Sequence, residues 1–238
     1  DPARRNEHGG KTVAISDCEP NVAELEGLLL SKANRIMIKL SPRLDLSQAL
    51  KELPHTQEVH IISVNNECKE LLLLLGQTAP EEIPVHCVNL STKGEQEKQL
   101  FVFTREQEQH SECSYTDTLG NYLYEPNASL LKAGAFRSIA AAYSVKKLHP
   151  NSHLYTSDTQ IEGFPGRTFR IINRCSLNKK EIKENLSDLK KANITVRNFP
   201  ATVAELRKRI KLAEGGDTYL FASTLNDGQK ILIRCGKV

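Results

Sequence analysis

Residues Glu58 to Gly76 read EVHIISVNNECKELLLLLG, and what this stretch becomes decides the architecture of the amino-terminal half. Its opening EVHIISV is a short run of β-branched and apolar residues, the pattern of a strand buried on both faces. The continuation NECKELLLLLG reads as a helix whose leucine run is closed by Gly76, a residue suited to a helix carboxyl end. On this reading a strand passes straight into a crossover helix.

The sequence on either side extends the same alternation. Upstream, SDCEPNVAELEGLLLSKAN starts a helix at Pro20 or Asn21, with Val22, Leu25, Leu28 and Leu29 at helical spacing. RIMIKL (Arg35–Leu40) is a strand ended by Ser41 and Pro42, and LDLSQALKEL is a short helix with Asp45 near its start. Downstream, PVHCVNL and KQLFVFT flank the turn-rich STKGEQE as a hairpin. The pattern predicts a mostly parallel sheet finished by an antiparallel edge.

REQEQHSECSY (Arg105–Tyr115) is polar and without period, and marks a boundary. Beyond it, NASLLKAGAFRSIAAAYSV reads as one helix capped by Asn127, and HPNSHLYTSD and EGFPGR supply turns around a short strand at His153–Thr156. In FPGR, Gly166 is expected to permit a tight bend and Arg167 to pin the segment that follows. That last segment reads β-α-β-α-β-β: FRIINRC, NKKEIKENLSDLKKAN, ITVRNF, TVAELRKRIKLAEGG, DTYLFASTL and KILIRCGK. Asn226-Asp227-Gly228 marks its terminal hairpin, and Gly215-Gly216 the end of its second helix.

Composition excludes several classes. With 39% hydrophobic and 26% charged residues the chain is an ordinary globular one. Its longest apolar run falls far short of the ~20 residues a bilayer span requires, so no membrane partner is expected. No signal-peptide pattern is visible, and a cytoplasmic location follows. The six cysteines lie 19 or more residues apart without a CxxC pair, which predicts reduced, packed thiols. No metal is expected either, since Pro150 and Asn151 forbid a helix that would pair His149 with His153. The net charge of +3 hides a split. From residue 166 onward there are 16 Lys and Arg against 7 Asp and Glu, a net +9, leaving 16 against 22 and a net −6 before it. Such asymmetry points towards a polyanion, although solvated helix faces also produce it.

The opening DPARR, taken by itself, is a turn. It becomes a site only if Asp1 lies just past the carboxyl end of a parallel strand, where open α/β sheets bind ligands. Together with CEPN, KLSPRLDL, YEPNASLLKAGAF, KLHPNSHLYTS and FPGR, it resembles the carboxyl-terminal part of bacterial class I S-adenosylmethionine-dependent methyltransferases that carry a THUMP-like domain. The resemblance implies that DPARR stands where these enzymes place an Asp/Asn-Pro-Pro-aromatic motif, and that the chain opens inside a domain. In amine-directed members the acidic or amide side chain and the proline carbonyl accept hydrogen bonds from the methyl acceptor. Asp1 and Pro2 match those two positions and are the catalytic candidates. Ala3 and Arg4 depart from the pattern, removing the ring that stacks on a flipped base. Arg4 and Arg5 are candidates for a substrate phosphate or carboxylate, or a solvated pair.

The fold implied is α/β. It comprises a partial Rossmann-like methyltransferase domain at 1–108, a small connecting ferredoxin-like α+β unit at 109–165, and a THUMP-like domain at 166–238. Lys179, Lys180 and Lys183 on one helix, with Arg207, Lys208, Arg209 and Lys211 on the next, are the candidate RNA-binding residues, interleaved with Glu181, Glu184, Asp188 and Glu205. The whole enzyme is expected to methylate RNA. This chain, which shows no glycine-rich loop between a strand and a helix, is expected to be inactive and not to bind S-adenosylmethionine. Two alternatives are a stand-alone RNA-binding module and a protein-interaction domain that self-associates through the sheet edge at RIMIKL or EVHIISV.

Overall fold

A computed structural model of the chain describes residues 3–4, 14–92 and 98–238, the first two as backbone only. They fall into two compact units, Asp1–His110 with Asn127–Ala135, and Ser111–Pro126 with Phe136–Val238. No helix of the described residues is long and apolar enough to cross a membrane.

The first unit contains β1 (Ala3–Arg4), β2 (Cys18–Glu19), α1 (Val22–Lys32), β3 (Arg35–Leu40), α2 (Leu46–Glu52), β4 (Thr56–Val64), β5 (Glu67–Gly76), β6 (Pro84–Leu90), β7 (Lys98–Thr104), α3 (Arg105–His110) and α4 (Ala128–Ala133). Asn21 caps α1 by accepting from the Ala23 amide, and Asp45 caps α2 by accepting from Gln48. The main sheet runs β3-β5-β4-β6-β7, and β1 and β2 form a separate antiparallel ribbon.

The stretch expected to be a helix is β5. It turns back from β4 through Asn65 and Asn66, whose φ angles of 50° and 64° give the left-handed pair that suits the twist of a two-residue hairpin. Alternation then organises the leucines. Leu71, Leu73 and Leu75 are fully buried while Leu72 and Leu74 are half-buried on the opposite face, so a central strand uses all five. With this change the sheet is not mostly parallel. β5 pairs antiparallel with both β3 and β4, β6 pairs antiparallel with β7, and only β4 and β6 pair in parallel. β3 and β4 still run in one direction, joined through α2, with β5 inserted between them. Among the described residues β3 pairs on one side alone, whereas EVHIISV is interior and cannot serve as an edge. The first part of the polar run after β7 is also helical, as α3. Thr104 and Gln107 cap it reciprocally, amide to side chain in each direction, at 2.9 and 3.2 Å.

The second unit contains β8 (Tyr122–Pro126), α5 (Phe136–Tyr143), β9 (Lys146–Lys147), β10 (Tyr155–Ser157), β11 (Gly166–Cys175), α6 (Lys179–Leu186), β12 (Asn193–Arg197), α7 (Val203–Ile210), β13 (Thr218–Thr224) and β14 (Lys230–Lys237). They build one seven-stranded sheet, β12-β13-β14-β11-β8-β10-β9, so the strands of the middle segment and of the last segment share a sheet. β12 and β13 are parallel, bridged by α7, and the other neighbours are antiparallel. Two cores form. One gathers Leu123, Leu154, Phe169, Phe221 and Ile233, and the other gathers Leu186, Leu206, Leu220, Ala222 and Leu232 with the inner sides of α6 and α7.

The single helix expected over NASLLKAGAFRSIAAAYSV is two. Gly134, at φ 75°, ends α4, and α4 and α5 belong to different units. In α7, Lys211 takes the left-handed conformation at φ 58° and Leu212 turns into the core, so the helix stops well before Gly215-Gly216.

Candidate nucleic-acid interface

Local chemistry fixes both basic helices. Asn178 caps α6 by accepting from the Lys180 amide at 2.9 Å, and the Glu181 carboxylate accepts from the Ser176 amide at 2.7 Å, which lowers its pKa. α7 opens with a reciprocal cap. The Glu205 amide donates to the Thr202 hydroxyl and the Thr202 amide to the Glu205 carboxylate, whose pKa is likewise lowered. Leu186 and Leu206 anchor the helices to the sheet, leaving their polar sides outward.

The seven basic candidates divide by environment. Arg207 is half-buried; its Nη1 donates to the Ala192 carbonyl at 3.1 Å and its Nη2 lies 4.0 Å from Glu214. Arg209 is exposed but donates to the Leu177 carbonyl at 2.8 Å, which holds the carboxyl-terminal turn of α7 beside the start of α6. Lys180 lies 4.0 Å from Glu184, one helical turn on. Lys179, Lys183, Lys208 and Lys211 are all exposed. The fold therefore brings the two charged runs together, with two of the arginines occupied in fastening the helices.

A second polar cluster lies on the sheet. Glu125 of β8, whose side chain is only 2% exposed, receives Arg167 of β11 and, at 2.9 Å, Arg197 at the end of β12. Arg167 thus pins its strand as expected. Gly166 is explained by close approach rather than by a tight bend, because a Cβ there would fall 2.1 Å from the Glu125 carbonyl oxygen. Nearby, the His153 ring stacks on Phe136 at 3.7 Å, and its pKa is pushed down to about 4, first by burial and then by Lys147 and Arg197. His149 and His153 sit in a turn, with the Asn151 amide donating to His149 Nδ1. No disulfide joins the cysteines, and burial raises the thiol pKa to about 11 at Cys175 and about 12 at Cys235.

Residues 166–237 match the family model described as THUMP domain-like, and residues 122–165 match that of a ferredoxin-like domain. The segment from Gly166 is a THUMP-like domain. Among solved structures, a protein of Porphyromonas gingivalis W83 named as a putative methyltransferase is 40% identical, with a TM-score of 0.90. The match covers all of this chain and 58% of that one. No curated protein matches the chain.

The catalytic candidates Asp1 and Pro2, and Arg5 beside them, lie outside the described residues. Ala3 and Arg4 are described as backbone, paired with Glu19 and Cys18. Neither the Glu125 cluster next to the THUMP-like domain nor a group on β4 and β6 was legible in the sequence. In the latter, His60 and His86 stack with ring centroids 4.4 Å apart, and Glu58 lies beside them. The sequence distance between the two histidines hides their pairing, and only the parallel register of β4 and β6 reveals it.

Proposed function

We propose that this chain is part of an S-adenosylmethionine-dependent methyltransferase acting on RNA, with the THUMP-like domain holding RNA against the outer sides of α6 and α7. The observation that supports the RNA reading best is the convergence of exposed Lys179, Lys180, Lys183, Lys208 and Lys211 on two adjoining helices. Cations so placed neutralise backbone phosphates without reading sequence. The likeness to the Porphyromonas gingivalis protein supports the methyltransferase half. In this reading Asp1 and the Pro2 carbonyl accept hydrogen bonds from the methyl acceptor, and Arg4 and Arg5 meet an anionic group of the substrate.

The described residues do not fit S-adenosylmethionine. Gly27, Gly76 and Gly134 are the described glycines of the first unit, and none lies between a strand and a following helix in a glycine-rich loop. No step of methyl transfer is therefore assigned to them.

The test is the affinity of the chain for structured RNA as a function of salt. A Lys179/Lys180/Lys208/Lys211→Ala variant leaves the fastening arginines in place. It should weaken binding and flatten the plot of log K against log salt by about 0.7–0.9 for each phosphate that is no longer neutralised. An unchanged slope rejects the interface. Methyl transfer is read separately, with labelled donor and the complete protein, and incorporation into protein or DNA instead of RNA rejects the substrate class.

A protein-interaction reading retains one supporting observation, the pairing of β3 on one side alone among the described residues, with Met37 exposed on it. Sedimentation as a monomer at high concentration rejects that reading.

A further inference from the structure

The sheet of the first unit carries one row of same-face residues across all five strands: Lys39, Leu72, His60, His86 and Val102. At its centre His60 and His86 are direct neighbours in parallel register. Glu58, two residues before His60, shares that face in the adjoining row. One oxygen of its carboxylate lies 3.3 Å from His60 Nε2, and the other takes a hydrogen bond from Arg35 at 3.2 Å. The His86 side chain makes no hydrogen bond to another described residue, so its ring nitrogens keep their full capacity. The ligand atoms of Glu58, His60 and His86 all lie within 4.8 Å of one another, and all three residues are half-buried.

We propose that Glu58, His60 and His86 form a binding site for a divalent transition-metal ion of the zinc class. Two imidazoles and one carboxylate suit zinc, cobalt, nickel or copper, whereas magnesium and calcium call for oxygen donors throughout. Tetrahedral coordination with bonds of 2.0–2.1 Å puts ligand atoms roughly 3.3 Å apart, a spacing that Glu58 and His60 already have, so the closing movement falls to His86. Their backbones are held by the hydrogen bonds of two interior strands, and the half-exposed side chains have room to make that movement. Three protein ligands leave the remaining position to water. Among the described residues Arg35 is the cation that competes for Glu58, through the oxygen turned away from His60.

The test is calorimetric titration of the chain with Zn(II). One ion per chain is expected at micromolar affinity, and His86→Ala and His60→Gln should each weaken it more than about tenfold, as loss of one ligand in three demands. Zn(II) should also raise the melting temperature of the unaltered chain and not that of either variant. The absence of binding by the unaltered chain overturns the proposal, as does an affinity that both variants retain. The Co(II) spectrum of the unaltered chain gives a readout that does not depend on the variants folding. Tetrahedral or five-coordinate d–d bands without thiolate charge transfer support the site. Thiolate absorption, or the weak spectrum of the hydrated ion, sinks it.

Discussion

His153 shows how a residue's surroundings override its intrinsic chemistry. Burial against Phe136, with Lys147 and Arg197 facing it, holds the imidazole neutral down to about pH 4, whereas in the unfolded chain it takes a proton near 6.5. Because the folded pKa is depressed, the stabilisation is complete above pH 6.5 and is lost as pH falls towards 4. Chemical denaturation should show this loss, on the order of 2 kcal/mol once partial solvent access is discounted. His153→Phe keeps a stacking ring and removes the titration, and should flatten that limb. Glu125 behaves differently, since it is the common acceptor of two arginines that themselves reach solvent. Glu125→Gln should cost about 1–3 kcal/mol, read as a shift in denaturation midpoint at unchanged slope. At this scale the sequence made charge visible and left partners hidden. The lysines of α6 and α7 announce themselves, while Glu125 and the His60–His86 pair draw their meaning from residues far along the chain.

At the scale of elements, legibility depended on whether the local signal had a competitor. β3, α2, β4, β13 and β14 were readable because period, caps and turn residues agreed. β5 was not, because five consecutive leucines carry no period and Gly76 mimics a helix terminus. The turn signal was nevertheless there, since Asn-Asn supplies two residues tolerant of positive φ. α3 was missed for the opposite reason: it buries nothing, and its capping pair Thr104–Gln107 was its one signature. Alanine substitution along Leu71–Leu75 should give a two-residue rhythm. Losses of about 2–5 kcal/mol are expected at Leu71, Leu73 and Leu75, and smaller ones at Leu72 and Leu74. A rhythm of three to four residues in the melting data would contradict the strand.

For the whole molecule, the decisive feature is that the first unit is discontinuous in sequence. Asn127–Ala135 returns to it after Ser111–Pro126 has entered the other unit, and α4 packs on β4, β5 and β6. A chain cut after His110 lacks that helix. It should melt lower and bind a hydrophobic dye such as ANS, whereas one cut after Ala135 should regain cooperative melting. The sequence placed a boundary in this region because polarity rises there. It could not show that the backbone recrosses, since a nine-residue return contributes no composition of its own. Its consequence reaches into inheritance. Gene rearrangements move contiguous stretches of coding sequence, and the seven-stranded body cannot be lifted out by one breakpoint without stealing a helix from its neighbour or leaving β8 behind. A recombinant that separates the two has to supply a replacement either for α4 in the first body or for β8 in the second.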